Sequence, residues 1–129
     1  MVAPRIVQAN AKAGQLRAML AEAGLDQVTV TLDAREIASA ARHGVIVISP
    51  PDLTFVTFTS TEATYELSVI AGPADNLLHA WETLDSIIEA LRAGQLDMTT
   101  ARGEMFAPAS SAPLPGYTIN LNPDTLIDD

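Results

Sequence analysis

The sequence predicts an α+β fold: a largely antiparallel sheet of about five strands with two helices packed on one face, in the order α-β-β-β-α-β-β. Three observations lead there. Two segments carry apolar residues at helical spacing, and the stretches between and after them are rich in β-branched residues that alternate or run continuously. Apolar residues make up 48% of the 129, yet only six are aromatic (three Phe, two Tyr, one Trp), so the core is expected to be built from Val, Ile, Leu and Ala. No repeat and no long linker interrupts the chain, which reads as one domain spanning 1–129.

The first helix is expected from Ile6 or Asn10 to Ala23. Leu16, Met19, Leu20 and Ala23 recur on one face, Lys12, Gln15, Arg17 and Glu22 take the others, and Gly24 stands where a left-handed cap belongs. Gln27 to Leu32 alternates, with Val28, Val30 and Leu32 against Gln27, Thr29 and Thr31, the period of a half-buried strand. Asp33 to His43 has no clear period and suits a connection or a short turn of helix. Val45 to Ile48 is a continuous β-branched run, expected to be a central strand buried on both faces. Pro50 and Pro51 end it, because neither can donate to a ladder.

Leu53–Thr59 and Thr64–Ala71 read as the next two strands, Tyr65, Leu67 and Val69 alternating with Glu66 and Ser68. The short spacer Ser60, Thr61, Glu62 implies that they pair as a hairpin. Pro73 to Ala93 is the strongest helix, with Pro73 suited to its first turn and Gly94 to its end. Its stripe is Leu77, Trp81, Leu84, Ile88 and Leu91, which places Trp81 in the core, while Glu82, Asp85 and Glu89 fall outside. Weaker strands follow near Glu104–Ala107 and Tyr117–Leu121, separated by a Pro- and Ser-rich stretch from Pro108 to Pro115. Residues 122–129 read as a polar tail. The sheet face away from the helices is expected to be mixed, lined by Thr54, Phe58, Glu66, Ser68, Thr118 and Asn120.

Charge and composition narrow the function classes. The net charge is −9, and it is uneven. Residues 1–43 hold five basic and four acidic side chains, whereas residues 44–129 hold two and twelve. Such a surface repels phosphate backbones and anionic lipid, which argues against binding DNA or RNA by charge neutralisation. With no cysteine, disulfides, thiol nucleophiles and cysteine-based metal sites are excluded. No apolar run reaches membrane-spanning length and the opening residues do not read as a signal peptide, so a cytoplasmic place of synthesis and no membrane contact are expected.

No phosphate-binding glycine loop, nucleophile elbow or zinc-helix motif occurs. His43 and His79 read as surface histidines, and Asp75, four residues before His79, makes only a lone pair. Asp33, Glu36 and Asp52 are carboxylates scattered on connections, and the row Glu82, Asp85, Glu89 reads as a solvated face or a docking surface for a basic partner. No catalytic, metal or cofactor residue is expected. Partner contacts are expected where apolar residues fall in loops on a rigid scaffold. These are the corner Pro50, Pro51, Asp52, Leu53 with Phe55, the spacer Ser60, Thr61, Glu62, and Met105, Phe106, Pro113 and Leu114.

The run from Gly44 to Phe55 (GVIVISPPDLTF), then Ala63 to Pro73 (ATYELSVIAGP), then Leu77 to Leu91 resembles the tail terminator, or tail completion, proteins of long-tailed siphovirus-type phages, above all those of actinobacteria. The resemblance covers almost the whole chain in length and element order, through strand and helix patterns of moderate specificity. It implies a virion structural subunit without cofactor, forming a homo-oligomeric, hexameric ring at the head-proximal end of the tail tube. Its partners would be the tail tube protein and the head-tail connector or stopper, with DNA passing through an acidic lumen without specific binding. Two other readings share the size and class: a head-closure or head-tail adaptor protein of the phage neck, and a small intracellular ligand-binding domain.

Overall fold

A computed structural model describes residues 4–107 and 113–127. In chain order the elements are α1 (Pro4–Glu22), β1 (Thr29–Thr31), α2 (Ile37–Ala40), β2 (Val45–Ile48), β3 (Asp52–Thr57), β4 (Ser60–Thr64), β5 (Glu66–Ile70), α3 (Leu77–Ala93), β6 (Met98–Phe106), β7 (Leu114–Leu121) and β8 (Asp124–Ile127). Five strands form one sheet in the order β1-β2-β5-β7-β6, and β3-β4-β8 form a second. Among the described residues only β1 and β2 are parallel, joined through α2 and two tight helical turns at Ala34–Glu36 and Ala41–His43. The class is α+β, as the periodicities predict.

α1 and α3 pack on one face of the larger sheet. Ala9, Ala13, Leu16 and Leu20 of α1 meet Leu84, Ile87 and Leu91 of α3 over Ile46, Ile48, Leu67, Val69, Ile119 and Leu121. Each large aliphatic side chain withdrawn from water in this way contributes about 1.5–3 kcal/mol before entropy is charged against it. Gly24 adopts φ +78 at the end of α1, the left-handed cap that its position implies. Gly94 closes α3 for a different reason: a Cβ there would come within 2.5 Å of Met19 Cγ, so glycine lets the two helices approach.

β2 lies between β1 and β5 with all four residues buried, as its continuous β-branched run requires. On the face away from the long helices, Val45, Val47 and Ile70 are covered by Ala41 and Leu114, with Ile37, Ala40 and Phe106 packed around them. Beyond that cover the face turns polar. Glu66 pairs with Asn120 and Ser68 with Thr118 across β5 and β7, and Thr100 and Arg102 of β6 continue the two rows.

Five details depart from the sequence reading. α3 begins at Leu77 rather than Pro73, because Asn76 caps it by accepting from the His79 N–H at 3.2 Å. Its buried positions are Ala80, Leu84, Ile87, Ala90 and Leu91, so the stripe is rotated and Trp81 is 61% exposed rather than in the core. The small Ala80 and Ala90 are among the residues that pack inward. The expected strand Thr64–Ala71 is two strands in two sheets, which part at Tyr65. That side chain is buried and its hydroxyl donates to Gln8 Oε1 at 2.9 Å, locking the corner to α1. The spacer Ser60–Glu62 is strand β4, with the turn moved back to Phe58–Thr59, so Thr54 lies on the second sheet and Phe58 at its tip, not on the open face of the first. Residues 124–127 of the expected polar tail form β8 against β4, residues 128–129 lying outside the described ones.

The strands expected to be weak, β6 and β7, are the longest, at nine and eight residues. Residues 108–112 of the Pro- and Ser-rich stretch lie outside the described ones, and Pro115 belongs to β7. No helix among the described residues is long and apolar enough to cross a membrane.

Candidate functional site

Three surface features emerge from this fold. The first is the β3–β4 hairpin. All six residues of β3 are exposed, Phe55 is 70% exposed and Phe58 at the turn is fully so. The register places Leu53 opposite Ala63 and Phe55 opposite Thr61 on one face, with Asp52, Thr54, Glu62 and Thr64 on the other. A register shift between Phe55 and Thr57 bulges Val56 outward, and Thr57 Oγ1 accepts from the Thr59 N–H at 3.3 Å to tighten the turn. From Leu53 to Thr61 the sequence LTFVTFTST carries no charge. An edge strand that is uncharged from Leu53 onward and exposes Phe55 and Val56 is what natural sheets normally avoid presenting to water.

The second is an apolar groove of about 210 Å³ between α3 and the β6–β7 edge. Trp81 and Leu84 form one wall, Met105, Pro115 and Tyr117 the other, and Gly103 leaves its floor open. The pairs Gly103↔Tyr117 and Met105↔Pro115 put these residues on the face that α3 covers. Leu77, Leu78 and Met105 are exposed beside Trp81, extending the apolar surface along the first half of the helix.

The third is a more polar cleft of about 500 Å³ between α3 and the connections around β1 and β2. It brings both histidines together, His43 and His79, with Arg42, Asp26, Glu82 and Ser86. Nothing in their sequence positions, thirty-six residues apart (79 − 43 = 36), joins them; the packing of α3 beside Gly44 does. Gly44 has φ +93 and a Cβ there would meet Ile87 Cδ1 at 2.8 Å, so glycine serves both turn and approach. Among the described residues no group of three His, Asp or Glu is placed to hold a metal ion.

The sequence-expected partner residues divide among these places. Pro50, Pro51, Asp52, Leu53 and Phe55 form the corner and the outer strand of the hairpin, and Ser60, Thr61 and Glu62 its inner strand. Thr61 is buried, in the inner strand that pairs with β3 on one edge and β8 on the other. Met105 lines the groove, whereas its neighbour Phe106 points to the opposite face and packs with buried Leu114 under α2. Leu114 is therefore core, while Pro113 is exposed at the start of β7.

Of the scattered carboxylates, Asp33 is held by Arg35, whose guanidinium donates to both oxygens at 2.9–3.2 Å. That side-chain bond, then the Arg35 backbone N–H, lowers the Asp33 pKa. Asp52 stands in β3 opposite Thr64, so the two do not share a connection. Glu82, Asp85 and Glu89 are exposed on α3, and Glu89 accepts from Arg92 at 3.2 Å. On the open sheet face Glu104 pairs with the Thr118 hydroxyl and lies 3.8 Å from Arg102.

No protein-family model matches this chain, and no curated protein matches it. Sequence reasoning missed the groove because Trp81, the one large residue that reveals it, has the spacing of a core position. The signal that points outward is subtler: Ala80 and Ala90, rather than Trp81, are among the buried positions of the helix.

Proposed function

We propose that this chain is a self-assembling virion subunit, a ring at the head-proximal end of a long phage tail tube that stops tube growth and joins the tail to the head connector. The observation that carries the assembly reading is the β3–β4 hairpin, uncharged from Leu53 to Thr61 and displaying Phe55, Val56 and Phe58 to solvent. A soluble chain gains nothing by exposing two phenylalanines on an arm unless another surface covers them. The assignment to the tail terminus rests on the resemblance of the Gly44–Phe55, Ala63–Pro73 and Leu77–Leu91 segments to terminator proteins, which also supplies the hexameric number. The net charge of −9 suits a channel that DNA traverses without adhering.

Negative-stain microscopy of particles made with and without the gene tests this. Tubes of uncontrolled length and unjoined heads in its absence support the terminator. Tails of normal length with leaking heads transfer the role to a head-closure or adaptor protein. Normal virions overturn both.

A second reading, a small ligand-binding domain, is favoured by the cleft that gathers His43, His79 and Arg42. Inorganic phosphate is the natural probe for such donors. Unmoved imidazole resonances on its addition would sink that reading.

A further inference from the structure

We infer that the tip of the β3–β4 hairpin of one copy seats in the Trp81–Met105 groove of the next copy, building a head-to-tail assembly. The inference deepens the self-assembly reading and rests on it. The two surfaces lie at opposite ends of the larger sheet. The hairpin leaves β5 at Glu66, which pairs with Asn120, whereas the groove flanks the other end, where Ile70 pairs with Gly116 and Gly116 with Glu104. β5 alone separates them by roughly 13 Å, and within one chain the tip stays in solvent, with Phe58 fully exposed. One chain therefore does not satisfy its own groove, and a contact between unlike surfaces of identical subunits propagates into a ring or a filament.

Size and chemistry fit. A cavity of about 150 Å³ holds a benzene ring, and the groove offers about 210 Å³ with an aromatic wall on two sides. Phe55 and Phe58 together expose roughly 350 Å² of residue surface, against about 800 Å² per partner for a standard interface. Leu53 and Val56 on the arm, and Leu77 and Leu78 beside the groove, are exposed to extend the contact. Charge opposes a second copy least at this contact. Two molecules of net charge −9 repel overall, and the tip from Leu53 to Thr61 is a neutral segment that one can bring to the other.

Sedimentation velocity of the full chain, from roughly 1 μM to 1 mM, tests the pairing. The wild type is expected to assemble with concentration. Phe58→Ser removes the tip, and Gly103→Leu fills the groove: a Cβ at Gly103 lies 3.5 Å from the Tyr117 ring, an ordinary contact, so the strand accepts it. Each variant alone is expected to associate at least about tenfold more weakly. An equimolar mixture of the two retains one intact tip and one intact groove, and is expected to form dimers and nothing larger. If Gly103→Leu disturbs folding by circular dichroism, Met105→Glu blocks the same groove from an exposed position. A wild type that stays monomeric throughout, variants that assemble like it, or a mixture without dimers each overturn the inference. Variants that assemble normally leave the ring to another surface, whereas normal virions without the gene remove the phage role and leave the solution contact measurable.

Discussion

Leu84 and Trp81 stand three residues apart on α3 and meet opposite fates. Leu84 is 1% exposed between α1 and the sheet. Replacing it with Ala is expected to cost about 2–5 kcal/mol in urea unfolding, the sum of lost transfer energy and the cavity left behind. Trp81→Ala, at a position mostly in water, should change stability by less than about 0.5 kcal/mol while weakening self-association. Because Trp81 is the single tryptophan, its emission reports the groove directly. A blue shift with rising concentration, absent from Phe58→Ser, is the expected result; a constant spectrum would mean the groove stays wet. Hydrophobic spacing placed both residues in one stripe because it weights size. The buried face of α3 includes Ala80 and Ala90, whose small side chains carry little weight in such a pattern.

The hairpin is the element in which secondary structure and burial part company. β3 has the β-branched and aromatic content of a core strand, but every one of its residues is exposed. The physical reason is the corner at Pro50 and Pro51 with the buried pivot at Tyr65, which together carry β3 and β4 out of the larger sheet and into a second one closed by β8. Shortening the arm by replacing residues 56–60 with Asn-Gly would join the paired Phe55 and Thr61 by a two-residue turn. The expected outcome is cooperative unfolding with a free energy within about 1 kcal/mol of the parent and loss of assembly in sedimentation. A large destabilisation would mean that the tip supports its own fold rather than a neighbour's.

For the molecule as a whole, charge and apolar surface oppose each other. At net charge −9, copies repel, and the repulsion is screened as the Debye length falls from about 30 Å at 0.01 M salt to about 8 Å at 0.15 M. An apolar contact between such copies is expected to tighten with added salt. An ionic contact, for instance the acidic row Glu82, Asp85 and Glu89 against basic residues of the first third of the chain, would loosen. The sign of the salt dependence in light scattering therefore tells which surface holds the assembly, and a loosening would count against the hairpin.

What the sequence determined by itself was local. The two long helices, the buried run from Val45 to Ile48, the alternation of Leu67 and Val69 with Glu66 and Ser68, and the cap at Gly24 are all set by neighbours within a few residues, through propensity and period. The α+β class follows from their order. Only the tertiary structure decided which face of α3 turns inward, that Thr64–Ala71 divides between two sheets, that residues 124–127 pair with β4, and that His43 and His79 line one cleft. Each of these depends on contacts between segments far apart in the chain, where steric fit and the closing of distant hydrogen bonds choose among patterns that are locally equivalent.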